Sequence, residues 1–179
     1  AAEVTLPEAL KRAGYRSGHF GKWHLGELVH EGKVSASDVT EVTPMVNPAD
    51  YSPPWYHGFD VCFTDHQGGP TYNVMVWGRD RRPGNRIIMN RPVAHGETTA
   101  MPGVVSSGVQ FYTGPGRPAA GDLGGDSSKL IMDHALEFVE AEAAAGQPFL
   151  AVIWLFSPHS PVAAGDADRA PYADLGMEE

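Results

Sequence analysis

The chain has 179 residues, 42% hydrophobic and 20% charged, which is ordinary globular composition and points to one domain. Its 13 basic and 22 acidic residues leave a formal net charge of -9, and no Lys/Arg cluster runs beyond Arg79-Asp80-Arg81-Arg82, so there is no nucleic-acid footprint. One cysteine, Cys62, precludes an internal disulfide, and the longest apolar run, Phe149 to Phe156, is strand-sized rather than membrane-spanning.

Thr5-Leu6-Pro7-Glu8 reads as a capping box, with Thr5 as N-cap and Glu8 three residues on. Leu6, Leu10 and Ala13 recur at helical spacing and predict an apolar face on a core; Lys11 and Arg12 suit the negative end, and Gly14 stops the helix. Tyr15 to Phe20 predicts a strand, interrupted by Gly18. Glycine and proline then concentrate between about Glu27 and Gly125, which predicts a loop-rich middle, residues 27–123, in which interspersed aromatics argue against disorder. Within it Gly58 to Phe63 alternates as a strand does, Gln67-Gly68-Gly69-Pro70 is a turn, and Ile87-Ile88-Met89 and Val104-Val105 are either short strands or loop anchors.

The last third is plainer. Asp126 offers an N-cap to a helix running to about Ala145, with Ile131, Ala135, Phe138, Val139 and Glu142 on one stripe and Gly146 and Pro148 ending it. Phe149 to Phe156 is apolar on both faces, which suits a parallel strand buried between helix layers. Tyr172 to Leu175 opens another short helix. The chain has no initiator Met and no secretory leader, and both ends look arbitrary, so it is expected to be an internal piece of a longer protein, 1–179 forming part of one domain truncated at both ends.

Helix, strand and His-bearing tip therefore occur twice. Open α/β sheets bind ligands at the carboxyl ends of their strands, so if the two strands are parallel in one sheet, Lys22, His24 and His159 emerge on one edge. An extended backbone sends alternate side chains to the same side, which would aim Lys22 and His24 together and Trp23 away. A cation beside an imidazole suits an anionic group undergoing proton transfer. An arbitrary Lys-x-His is ordinarily a solvated charge and a hydrogen-bonded loop histidine, and a lone His159 an ordinary turn histidine. Here the flanking glycines, the preceding strand and the prolines on either side of His159 favour function.

The run Gly14-Tyr15-Arg16-Ser17-Gly18-His19-Phe20-Gly21-Lys22-Trp23-His24-Leu25-Gly26 resembles the second signature of the type I sulfatases. The same order continues in Gly58-Phe59-Asp60, in the Gly124-Gly125-Asp126-Ser127 helix entry and in Pro158-His159-Ser160-Pro161. The resemblance covers nearly the whole chain, most densely residues 5–26, 57–73 and 124–161. It implies an alkaline-phosphatase-like α/β sandwich, a mixed and mostly parallel sheet between helix layers, here incomplete. It also implies hydrolysis of small-molecule or polysaccharide sulfate esters at a divalent cation, usually Ca2+, by a formylglycine made from Cys or Ser in a Cys/Ser-x-Pro-x-Arg motif by a sulfatase-maturing, formylglycine-generating enzyme. By the same resemblance Lys22 binds sulfate and nucleophile oxygens, His24 contacts the nucleophile and serves as base, and His159 binds a sulfate oxygen or protonates the leaving alcohol. The family also implies a periplasmic or secreted location.

The departures are specific. The chain contains no Cys/Ser-x-Pro-x-Arg, and Cys62 reads as a small apolar strand residue. The paired acidic metal ligands and the later Asp-Asn or Asp-His pair are missing; Asp133-His134 lies inside a predicted helix and Asp65-His66 precedes a Gly-rich turn, so neither is assigned a metal. Nucleophile and cation ligands are expected outside this chain, which alone should be inactive. His66 could line the substrate cleft through the loop Asp65 to Asn73, whereas His19 faces away from Lys22 or toward a neighbour, and His30, His57 and His95 lack ligand spacing. Arg79 to Arg82 reads as a solvated hairpin. The alternatives are a phosphonate or phosphate ester hydrolase of the same superfamily and a non-catalytic binding protein that lost its nucleophile.

Overall fold

The capping box forms as read: the Glu8 N–H donates to Thr5 Oγ1 at 3.4 Å and the Thr5 N–H to Glu8 Oε2 at 2.9 Å, opening α1 (Leu6–Arg12). The structure, a computed structural model, describes residues 3–29, 48–66, 71–72, 78–80, 104–106, 110–120, 123–158 and 164–175. The apolar stripe expected on α1 is not what packs. Leu6 is 61% exposed, Ala13 is exposed, and Pro7 is the buried residue of the helix. A two-turn helix has little face to offer, and α1 is instead tied at its start: Thr5 Oγ1 donates to the His57 carbonyl at 2.8 Å, and Pro7 and Glu8 press against Gly58.

Gly14, at φ +82°, turns the chain into β1 (Arg16–Lys22). β1 is the middle strand of a three-stranded parallel sheet, between β2 (Val61–Asp65) and a carboxyl-terminal strand, Phe149–Trp154. Two short antiparallel strands, β3 (Gly78–Asp80) and β4 (Val104–Ser106), pair with each other. Arg79 and Asp80 of the basic cluster thus lie in a paired strand, and Val104-Val105 is a strand; Ile87-Ile88-Met89, the Gln67 to Pro70 turn, Arg81 and Arg82 lie outside the described residues. Thr64 of β2 exchanges backbone bonds with Tyr112 on its outer side.

The long helix α2 (Ser127–Ala144) starts where Asp126 accepts from the Lys129 N–H at 2.6 Å. Ile131, Ala135, Phe138 and Glu142 are buried as the stripe predicts. They face Phe20 of β1 and Phe63 of β2, with Phe111 and Phe156 completing the core and Phe63 stacked on Phe111 at 4.3 Å. Burying a phenylalanine stabilises by about 2–3 kcal/mol, so this ring cluster, not helix propensity, holds α2 to the sheet. Glu142, polar yet on the buried stripe, meets Arg16 Nη1 at 3.5 Å.

Phe149–Trp154 is β5. Its both-sided apolar character predicted burial between helix layers, but it is half-buried, with Trp154 41% and Leu155 40% exposed. Among the described residues β1 is its one strand neighbour, so β5 stands at the edge of the sheet that these residues form. A short helix, α3 (Asp166–Arg169), leads into a 3₁₀ turn at Ala170–Leu175, where a short helix was expected from Tyr172. The fold is α/β, and among the described residues no helix is long and apolar enough to cross a membrane.

Candidate active site

Parallel pairing puts the carboxyl ends of β1, β2 and β5 on one edge, which is where such sheets bind ligands. Lys22 ends β1 and registers with Asp65, which ends β2 and is fully buried. The ladder continues past both strands: the Trp23 N–H donates to the Asp65 carbonyl at 2.9 Å and the His24 N–H to the His66 carbonyl at 2.6 Å. The two tips are thereby locked together before any side chain is considered.

The extended backbone expected through Lys22, Trp23 and His24 ends before His24. β1 stops at Lys22, and His24 has φ +51°, the one non-glycine residue in the left-handed region among the described residues. Histidine adopts that region uncommonly, and such outliers gather at functional sites. The turn leaves Lys22 half-buried, Trp23 4% exposed and His24 exposed. Trp23 is anchored by its indole N–H to the Ser52 carbonyl at 2.7 Å and lies against His57, whose Nε2 meets Ser52 Oγ at 2.7 Å. His57 therefore supports the tip from below, a role its loop position did not announce.

His66 joins the site. Its ring stands edge-on to that of His24, centroids 6.1 Å apart, and its Nε2 lies 3.6 Å from Glu27 Oε1. Burial, then the neighbouring His24, pushes the His66 imidazole below its ordinary range, and burial, then the Asp50 carboxylate, pushes Glu27 up. Both shifts favour uncharged forms, as expected where water is scarce.

His19 sits behind the tip, as expected of a strand residue turned toward a neighbour. It is fully buried, both ring nitrogens lack hydrogen-bond partners among the described residues, and Trp23, Trp154 and Phe59 surround it at 5.0, 5.1 and 5.4 Å. Burial lowers it from an ordinary 6.5 to about 4. The unfolded chain therefore binds one more proton than the folded chain between those values. The sign is fixed: stability is full above the unfolded value and falls as pH drops toward 4, by about 3 kcal/mol. Urea denaturation at pH 7 and pH 4.5 should show this loss in the native chain and a smaller one in His19→Phe. Equal slopes in both would exclude His19 as the source.

Several residues named from sequence are placed elsewhere. His159, His30 and His95 lie outside the described residues; the carboxyl end of β5 is at the same edge as Lys22. Cys62 is buried in β2 with its thiol pushed up to about 12, chiefly by burial, so it is inert packing. Asp133 and His134 are in α2, Asp133 paired with Lys129 and His134 stacked on Phe63 at 3.7 Å. Among the described residues no group of three or more His, Cys, Asp or Glu is arranged to hold a metal ion. Sequence reasoning missed Glu27, whose contact with His66 joins segments 39 residues apart by long-range folding alone. It also took Asp65 only as half of a poor Asp-His match.

Comparison with known proteins bears on this edge. A model of the Sulfatase family matches residues 1–176. Two relatives, the N-acetylgalactosamine-6-sulfatases of Canis lupus familiaris and Sus scrofa, are each 25% identical over 181 aligned residues, covering 98% of this chain. The chain spans 27% of the length of either relative.

Proposed function

Because this chain belongs to the sulfatase family, we propose that it forms part of a sulfuric ester hydrolase whose substrate is held at the carboxyl edge of β1, β2 and β5. The observation that carries the reading is the tip of β1, where a half-buried lysine and an exposed, left-handed histidine lie two residues apart on a backbone bonded to the end of β2. Lys22 holds an anionic ester oxygen, in a setting where partial burial strengthens the attraction. His24, accessible and conformationally fixed, moves a proton to or from the reacting oxygen. His159 serves the leaving alcohol or a second oxygen, a role supported by the parallel course of β5 toward that edge. His66 lines the cleft.

The formylglycine would supply the attacking hydroxyl, and it and the cation ligands belong to segments outside these residues. Family membership likewise supports a maturing enzyme as partner and a periplasmic or secreted setting. The substrate is a small-molecule or polysaccharide sulfate ester, and the names of the two relatives make a sulfated amino sugar the first natural compound to try.

The test compares this chain with the longer open reading frame at its source locus, on 4-nitrophenyl sulfate, phosphate and phosphonate and on sulfated N-acetylgalactosamine. The expected result is sulfate release by a longer polypeptide that carries Cys/Ser-x-Pro-x-Arg and none by the 179-residue chain. Turnover by this chain alone would overturn the division of labour. Phosphonate or phosphate preferred over sulfate would overturn the substrate class, and an upstream segment lacking the motif would point to a binding protein.

A further inference from the structure

Glu27 immediately follows the thirteen-residue signature, in a stretch that composition marks as loop. Its backbone is nonetheless held on both sides. Its N–H donates to the Asp50 carbonyl at 2.8 Å, its carbonyl accepts from the Ser52 N–H at 3.1 Å, and it forms a parallel bridge with Tyr51. Ser52 is also the residue whose carbonyl anchors Trp23 and whose hydroxyl meets His57. Segment 48–52 is thus a clamp that fixes Glu27 relative to the β1 tip. The side chain so fixed is only 12% exposed, as is that of His66, and its Oε1 is directed to His66 Nε2 at 3.6 Å. His66 in turn touches His24 twice, through its carbonyl on the His24 N–H and through its ring edge. An acid, a ring and a second ring follow one another from a rigid backbone to the exposed imidazole.

We propose that Glu27 is a positioning residue: its carboxylate holds the His66 ring, and His66 holds His24 in its left-handed setting at the edge of the cleft. This deepens the hydrolase reading and rests on it for the role of His24. The arrangement follows a general rule of sites, that an imidazole which handles protons is oriented by a neighbour that is itself fixed. Around His66 the charged groups are Glu27 with Asp50 behind it, Asp65 preceding it in the chain, and Lys22 and His24 of the adjoining tip. Glu27 is the acid in contact with the ring. Replacing it changes the group that faces His66 Nε2.

The imidazole signals of His66 and His24 in the isotope-labelled 179-residue chain, followed by NMR across pH, test this in the native chain and in Glu27→Gln. The variant keeps the size of the side chain and removes its charge, so the packing around it is retained. The expected result is displaced His66 and His24 ring signals in Glu27→Gln. In a His66→Gln background the same Glu27 change should leave His24 unmoved, because the effect passes through His66. Unaltered His66 and His24 signals in Glu27→Gln, or a His24 displacement that persists without His66, would overturn the proposal. In a longer polypeptide with turnover, Glu27→Ala should lower kcat about tenfold with KM within about twofold, and Glu27→Gln should recover part of it. No turnover in the unmutated polypeptide strikes the hydrolase reading alone; the NMR result decides positioning independently.

Discussion

Gly21→Ala should destabilise this chain strongly. Gly21 lies one residue before Lys22 with φ +97°, and a β-carbon there would sit 1.9 Å from the Trp154 carbonyl oxygen and 2.9 Å from its carbon. The obstacle is backbone, not a flexible side-chain end, and it belongs to the paired strand β5. Relief requires β1 and β5 to separate at the edge where the site stands. A left-handed β-substituted residue costs about 1–3 kcal/mol by itself, and overpacking against fixed atoms adds about as much again. The sum, about 4 kcal/mol, is a large part of the roughly 5–15 kcal/mol that holds a domain together. Gly116→Ala is the control: φ is +61° but nothing lies within 4 Å, so the cost should stay near about 1 kcal/mol. Urea midpoints of the two variants against the native chain decide the matter. Similar small losses would mean that β5 does not hold its carbonyl where it stands here.

Lys22→Met in the longer polypeptide should lower kcat on aryl sulfates about a thousandfold, and His24→Gln about a hundredfold or more. Methionine keeps the length of the lysine stem and removes its charge, so the half-buried end of β1 should still pack. The ammonium matters most where negative charge gathers on the ester oxygens in the transition state, so the loss should fall on kcat more than on KM. Lys129→Met supplies the comparison: Lys129 is 73% exposed on α2, paired with Asp133, and its loss should leave turnover within about twofold. Circular dichroism and urea midpoints establish that each variant is folded. A Lys22→Met enzyme with turnover close to that of Lys129→Met would remove Lys22 from the site.

Local features were legible because local chemistry fixes them. The Thr5-Glu8 box, the Asp126 cap, the buried stripe Ile131, Ala135 and Phe138 and the apolar run of β5 each follow from neighbours within one or two turns. So did the coincidence of two strand ends, which needs only parallel pairing and the right order of elements. The errors have a common cause. Leu6 and Ala13 looked buried because helical spacing was read without knowing that α1 docks by its first turn. Lys22 and His24 were aimed by strand alternation, but tertiary hydrogen bonds to Asp65 and His66 carry the chain past the strand into a left-handed turn.

The sequence by itself determined the family, through Gly14 to Gly26, and with it the α/β class and the lysine and histidine of the tip. Spacing along a chain encodes caps, periods and signatures, since these depend on residues a few positions apart. Only the tertiary structure decided which partners stand around the tip. Glu27 meets His66, Ser52 receives the Trp23 indole, and His19 lies closed among Trp23, Phe59 and Trp154 because strands and loops far apart in sequence pack side by side. Burial and charge at those contacts, which set the protonation of His19, His66 and Glu27, exist only once that packing has excluded water.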